Sequence, residues 1–281
     1  MQVFELLKSG SLDLRNNKIN THQLDSEIIL SHILKETREN LLTNAEREVT
    51  KSVVELFNKK ILRRSSREPV AYILQIKEFW SKDFFVNKNT LIPRPETELL
   101  SENIIKIFKK KTAISILDIG TGTGCILLSI LSEIKGGKGT GIDISKKAID
   151  VAKANSKKFF LQNRTRFYPK SFVDLYGCKY DLIVSNPPYI KTSEIKNLSD
   201  DIKRFEPKIA LDGGNDGLDV VKKIIYKSRT ILKKFGSLAL EIGNGQYYKV
   251  SHILKDQGFR VNVLVKDYQN NIRCIIARLE N

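Results

Sequence analysis

Disulfides, metal centres and membrane spans all find little to work with in this chain. Three cysteines, Cys125, Cys178 and Cys274, are scattered through 281 residues, an odd number with no CxxC pair and no histidine at ligand spacing. A disulfide frame and a zinc site are therefore not expected, and a reducing cytoplasm fits best. The three histidines, His22, His32 and His252, fall in no motif and read as surface or core residues. No window approaches the roughly 18 apolar residues of a membrane span, and the opening MQVFELLKSG lacks the apolar core of a signal segment. A soluble, unprocessed cytoplasmic protein with no membrane contact is expected. Internal repeats and low-complexity linkers are missing as well.

What is present is an ordinary globular balance, 41% apolar and 28% charged residues, enough for one large or two modest domains without help from metals. The formal charge is +16 and uneven: residues 1–75 carry twelve Lys/Arg against ten Asp/Glu, which leaves 36 against 22 for the rest. Such a surplus suits an anionic partner such as nucleic acid or a ribonucleoprotein-associated factor. It also follows from a Lys-, Asn- and Ile-rich composition, and no dense basic cluster decides between the two, so nucleic-acid contact is allowed but not required.

The apolar spacing changes along the chain. Val3, Leu6 and Leu7, then Leu24, Ile28, Ile29 and Leu34, then Val49, Val53, Leu56 and Ile61 recur at helical spacing, which predicts a small helical bundle with Thr43 or Asn44 capping the third helix. From Ala71 to about Ile92 β-branched and aromatic residues with turn formers predict a connecting hairpin. Beyond it strands alternate with helices: ISILDIG, GTGIDI, a short strand near Phe167, YDLIVS, SLALEIG, FRVNVLVKD and IRCIIARL. This alternation predicts a mostly parallel sheet covered on both faces. The last two strands are joined only by DYQNN, too short for a crossover, so the final strand should run antiparallel.

LDIGTGTGC, Leu117 to Cys125, follows an apolar strand and opens an apolar helix, the context a ligand-binding glycine loop requires. Gly120, Gly122 and Gly124 lack Cβ atoms where backbone must turn and approach a ligand, and the next helix offers free N–H groups. The spacing is GxGxG, not the GxGxxG of dinucleotide sites, with Asp118 just ahead of it. Asp143, at the end of the next strand, is placed to accept hydrogen bonds from two ribose hydroxyls. This is the arrangement of class I methyltransferases, whose ligand is S-adenosylmethionine and whose seven-stranded, Rossmann-like sheet with an antiparallel last strand the pattern also resembles.

NPPY, Asn186 to Tyr189, ends the fourth strand of that sheet, where the carboxyl ends of parallel strands gather ligands. A planar NH2 group is a poor nucleophile because its lone pair is delocalised, so it must be held close to the methyl carbon and in line. Positioning of this kind supplies about 7 kcal/mol or more in the best cases. The Asn186 side-chain oxygen is expected to accept one hydrogen of that group and the Pro187 carbonyl the other, while the prolines fix φ and Tyr189 offers a flat face to the substrate. Tetrapeptides of this type belong to methyltransferases of adenine, guanine or glutamine NH2 groups, so the motif gives the reaction class and leaves the substrate open.

Six blocks, REPVAYIL, KEFWSKDFFVNKNTLIPRPETELL, LDIGTGTGCI, GIDIS, VSNPPYI and RFEPKIALDGGNDGLD, occur in the order and spacing of the bacterial release factor glutamine methyltransferases, and the resemblance covers nearly the whole chain. It implies methylation of the glutamine side-chain nitrogen in the Gly-Gly-Gln motif of class I peptide chain release factors, with S-adenosylmethionine as donor; a monomer is expected. It implies an N-terminal helical domain (1–70) that binds the release factor, a hairpin linker (71–92) and a methyltransferase domain (93–281). Carried over, Gly120, Thr121, Gly122, Thr123, Gly124, Asp143 and Asn186 hold S-adenosylmethionine, and Asn186, Pro187, Pro188 and Tyr189 hold the glutamine, with Asn186, Pro187 and Tyr189 catalytic. Phe172 is the nearest equivalent of a tryptophan that lies against the adenine in the family. Gln75 departs from the pattern, standing where the family usually has glycine. Arg94, Glu96, Glu98, Glu206 and Asp212 should flank the cleft, where their side chains suit helix entry and capping as well as ligand contact. The alternative is a nucleic-acid amino-methyltransferase acting on adenine N6 or guanine N2.

Overall fold

The computed structural model describes residues 1–111 and 113–280, so the last residue of the 93–281 segment lies outside the described residues. The chain divides into two compact units, Met1–Ile76 with Ser199–Phe205, and Lys77–Leu198 with Glu206–Asn281.

The first unit opens with α1 (Val3–Asn16), α2 (His22–Leu34), α3 (Arg38–Thr43), α4 (Lys51–Ser65) and α5 (Val70–Leu74). In α1 the buried residues Val3, Leu6, Gly10 and Leu14 recur at helical spacing, and Glu5 folds back to accept the Gln2 N–H at 2.8 Å. A glycine inside a helix costs about 1 kcal/mol relative to alanine. At Gly10 that cost is met because a Cβ would stand 2.5 Å from the Phe57 ring, which is fully buried between the helices. Arg64, also buried, donates to Asp25 Oδ2 and Asp201 Oδ2, each at 2.7 Å, so its charge is paired on two sides.

Two local expectations are corrected. Thr43 and Asn44 do not cap the helix through Val53: they end the additional helix α3, which buries Leu41, and Thr43 donates back to the Glu39 carbonyl at 3.0 Å. That next helix begins after Thr50. The hairpin is shorter than 71–92: Pro69 starts α5, and only β1 (Ile76–Phe79) and β2 (Lys82–Phe85) are extended. Gln75 takes the left-handed conformation, φ 59°, that ends α5, which explains why glycine suits this position. The turn residues Trp80 and Ser81 also have positive φ, as a tight two-residue hairpin needs.

The second unit continues with α6 (Pro95–Phe108), β3 (Ile114–Ile119), α7 (Cys125–Glu133), β4 (Gly137–Asp143), α8 (Lys146–Lys158), β5 (Thr165–Pro169) and β6 (Tyr180–Ser185). After α9 (Asp200–Phe205), which belongs to the first unit, come α10 (Asp219–Ile231), β7 (Leu232–Glu241), α11 (Tyr247–Asp256), β8 (Phe259–Lys266) and β9 (Ile272–Leu279). The strands form one sheet in the order β5-β4-β3-β6-β7-β9-β8, with β9 antiparallel to both its neighbours, as the short β8–β9 connection predicts.

Alternate residues feed two separate cores. Ile116, Leu182, Val184, Ala239 and Ile276 join Ile104 and Leu127 on one side of the sheet; Leu117, Ile183, Leu238, Leu240 and Ile275 join Ile224 and Val250 on the other. Both faces being covered, these strands read as continuous apolar runs. Each fully buried Leu or Ile contributes about 1.5–3 kcal/mol. Chain connections leave β3 toward β4 on one side while β6 lies on the other, which opens a crevice at the carboxyl ends of β3 and β6.

Candidate active site

The glycine loop lies in that crevice. Gly120, Gly122 and Gly124 have φ of +71°, +53° and +79°, a region in which any Cβ is strained. The Gly120 and Thr121 N–H groups both donate to the Ile142 carbonyl at 2.9 Å, and Gly124 N–H donates to the Thr121 carbonyl at 2.7 Å, which folds the loop tightly over β4. A Cβ on Gly120 would meet nothing within 4 Å, so this glycine opens onto free space. Gly124 differs: its Cβ would stand 3.1 Å from Leu128 and 3.4 Å from Ala152, so it serves the packing of α7 against α8.

Asp143 ends β4, where Oδ2 accepts the Gly122 N–H at 3.1 Å and Oδ1 the Ser145 N–H at 2.9 Å. Each oxygen keeps a lone pair for a ligand. Burial raises its pKa, opposed by those backbone donors. Behind the loop Asp118 is 1% exposed; Oδ2 accepts from the Thr121 hydroxyl at 2.7 Å, and Oδ1 meets no hydrogen-bond donor among the described residues. Burial pushes this carboxyl up to about 7 despite the Thr121 hydroxyl, and the Asp143 charge adds to the rise.

The NPPY segment leaves β6 under firm constraint. Ser185 donates to the Ile119 carbonyl at 2.7 Å, tying β6 to β3 at the loop. The exit is clamped by the 211–213 segment: Ile190 N–H donates to the Leu211 carbonyl at 3.1 Å and Gly213 N–H to the Ile190 carbonyl at 2.8 Å. A Cβ on Gly213 would lie 2.8 Å from the Pro188 carbonyl oxygen and 2.9 Å from the Tyr189 Cα, so glycine alone permits this approach. Gln246 donates to the Tyr189 and Gly217 carbonyls at 3.0 and 3.2 Å and bridges the two segments.

Asn186 Nδ2 donates to Thr97 Oγ1 at 3.2 Å, and Thr97 Oγ1 donates to Glu241 Oε2 at 2.6 Å. Glu241, fully buried at the end of β7, also accepts the Tyr189 hydroxyl at 3.1 Å, and that hydroxyl accepts from Arg273 at 3.2 Å. Burial raises the Glu241 pKa; the Thr97 hydroxyl, the Arg273 charge and the Tyr189 hydroxyl oppose it.

A cavity of about 520 Å³ unites most of the expected site: Gly120, Thr121, Gly122, Thr123, Asp143, Phe172, Asn186, Pro187 and Pro188 line it. Gly124 and Tyr189 are not among its lining residues. The Tyr189 hydroxyl is bound to Glu241, and its ring lies 5.6 Å from the Arg273 guanidinium. Of the flanking charged residues only Arg94 lines the cavity. Glu206 is paired with Arg94 at 2.6 Å and accepts the Ile92 N–H, Glu98 accepts the Trp80 N–H, and Asp212 accepts from Thr192 and Gly214. Those three carboxylates brace loops. None of the three histidines lines the cavity.

Residues 5–74 match the family model described as the PrmC N-terminal domain, and residues 94–204 match the methyltransferase small domain. The chain is 37% identical to the release factor glutamine methyltransferase of Clostridium acetobutylicum over 97% of its own length and 96% of that protein. The chain belongs to the release factor glutamine methyltransferase family. It is also 35% identical to the bifunctional methyltransferase of Rickettsia prowazekii, and spans 56% of the length of that relative. A methyltransferase structure from Pyrococcus furiosus, 17% identical, aligns with a TM-score of 0.53 over 80% of this chain and 98% of that one, a likeness of fold.

The cofactor of such a methyltransferase is S-adenosylmethionine, and the residues present fit it. Gly120 leaves open space where a side chain would stand, Asp143 presents carboxylate lone pairs at the cavity, and Ile144, Phe172 and Val173 supply apolar wall. Motif reading missed Thr97, Glu241, Arg273, Gly213 and Gln246. Thr97 and Asn186 are 89 positions apart, and Tyr189 and Arg273 are 84 apart, so no local spacing joins them. The block EPKIALDGGNDGL carried a partial signal, since its glycines mark close backbone approach.

Proposed function

We propose that the protein transfers the methyl group of S-adenosylmethionine to the side-chain amide nitrogen of the glutamine in the Gly-Gly-Gln motif of class I release factors. When bound, S-adenosylmethionine supplies an electrophilic methyl carbon on a sulfonium. Gly120 to Thr123 and Asp143 would hold it, with Phe172 against its adenine. The observation that carries this reading is the edge formed by Asn186 and Pro187, two rigid acceptors at the same cavity as the glycine loop and Asp143.

A glutamine NH2 has two hydrogens to hold, and no described residue donates to Asn186 Oδ1 or to the Pro187 carbonyl. Both acceptors are therefore open to a ligand. As the N–C bond forms the methyl C–S bond would break to leave a neutral thioether, and the positive amide nitrogen would shed one proton to water, so no strong base is required. The backbone clamps through Gly213, Gln246 and Ser185 fix these acceptors before substrate arrives, which removes the ordering cost from the reaction itself.

The helical unit, by its match to the N-terminal family model, grips the release factor in this reading. The protein acts as a monomer in the cytoplasm, where its substrate works; no helix among the described residues is long and apolar enough to cross a membrane. Incubation with labelled S-adenosylmethionine and, in parallel, release factor, its Gln-to-Ala variant and ribosomal RNA tests the proposal. Label on the release factor alone supports it; label on RNA alone supports the nucleic-acid alternative and overturns it.

A further inference from the structure

Thr97, Glu241, Tyr189 and Arg273 form a continuous chain of hydrogen bonds, buried at the Thr97–Glu241 pair and part-buried beyond it, that ends on Asn186. With Glu241 ionised beside the Arg273 charge, its polarity follows from proton counting. Glu241 takes the single hydroxyl hydrogen of Thr97 at one oxygen and that of Tyr189 at the other. Thr97 Oγ1 then has only lone pairs left to offer its other neighbour. A carboxamide has one donating end and one accepting end, and only the donating end of Asn186 satisfies that oxygen. With Nδ2 bound to Thr97, Asn186 Oδ1 is directed elsewhere, on a residue that lines the cavity.

The reverse orientation would set two oxygens against each other at Thr97 and present an NH2 to a substrate NH2. Neither contact has a hydrogen to share in the right sense, so the amide orientation decides whether the site accepts or repels its substrate. At the far end the Arg273 guanidinium donates to the Tyr189 hydroxyl at 3.2 Å, leaving that hydroxyl's own hydrogen for Glu241. Arg273 also supplies the positive charge that offsets the buried carboxylate. Thr97 is 2% exposed and Glu241 fully buried, so water does not compete for the bond between them.

We propose that Thr97, backed by Glu241, is a positioning residue that fixes the Asn186 amide with its oxygen toward the substrate nitrogen. The inference rests on the proposed amide methylation. Thr97→Val keeps the shape and removes the hydroxyl; Thr97→Ser keeps the hydroxyl. Methyl transfer to release factor should fall about tenfold or more in kcat for Thr97→Val, with the KM for release factor and the Kd for S-adenosylmethionine nearly unchanged, and Thr97→Ser should restore most of the rate. Independently of turnover, the Asn186 side-chain NH2 of the ligand-free wild-type protein should exchange slowly with solvent by NMR, and this protection should vanish in Thr97→Val.

Full kcat in Thr97→Val, a loss that Thr97→Ser does not relieve, or a fall in donor affinity matching the fall in rate would overturn the inference. So would an unprotected Asn186 amide in the wild-type protein, whether or not the variants fold. Wild-type transfer to release factor with an unimpaired Thr97→Val fells this inference alone, whereas no wild-type transfer fells the proposed function with it.

Discussion

Asp118 is where the geometry makes its most quantitative demand. The carboxyl is wholly buried at the end of β3, with one oxygen on the Thr121 hydroxyl and the other without a donor. Burial raises its pKa from 3.8 to about 7. Between those values the folded protein holds a proton that the unfolded chain has lost, so the Asp118 contribution to stability falls as pH rises, from its full value below 3.8 to its lowest above 7. Three units correspond to about 4 kcal/mol, an upper bound for a site that relaxes. Asp118→Asn removes the titration while keeping an oxygen for Thr121. Urea unfolding of wild-type protein and variant without ligand, at several pH values from 4 to 8, reads the effect, because groups that do not interact with Asp118 cancel in the difference and only its neighbour Asp143 responds to the change. The variant should gain on the wild-type protein steadily with pH. A stability difference that stays constant across this range refutes the reasoning.

Three further outcomes follow from the site. Asn186→Ala should cut turnover by about 100-fold or more while leaving most of the S-adenosylmethionine affinity, read by initial rates and calorimetry, because it removes the acceptor proposed to hold the substrate nitrogen. Asp143→Ala should do the opposite, weakening donor affinity about 10- to 100-fold with most of kcat retained at saturating donor. Gly213→Ala forces a Cβ to 2.8 Å from the Pro188 carbonyl oxygen, where backbone cannot yield easily. It should cost about 1–3 kcal/mol in urea unfolding and lower kcat more than donor affinity.

The alternation of apolar strands and helices, and the short β8–β9 connection, made the sheet and its antiparallel last strand legible before any coordinates. Such features are local: a strand buried on both faces must be apolar at every position, and five residues cannot cross a sheet. The helical part was less legible at its edges, since Thr43 and Asn44 suit either end of a helix and only the burial of Leu41 decides that they close one. In the hairpin, Pro69 starts a helical turn that β-branched composition disguised.

At the site, short motifs bring the glycine loop, Asp143, Asn186 and both prolines to one cavity, because each lies at the end of its own strand. Tyr189 shows the limit of that reading. Its side chain is claimed by Glu241 and Arg273, which come from strands 52 and 84 positions away, and pairwise chemistry at such distance leaves no trace in local pattern. In RPETE the two carboxylates suit helix entry, and Thr97 between them makes the contact to Asn186.

The most direct test of the central claim is label transfer from S-adenosylmethionine to purified release factor, with the modified residue located by mass spectrometry of the Gly-Gly-Gln peptide. The account predicts one methyl group on the glutamine side-chain nitrogen, none on the Gln-to-Ala release factor and little with Asn186→Ala enzyme. Methylation of ribosomal RNA with an untouched release factor, or a methyl group elsewhere on the factor, would contradict it.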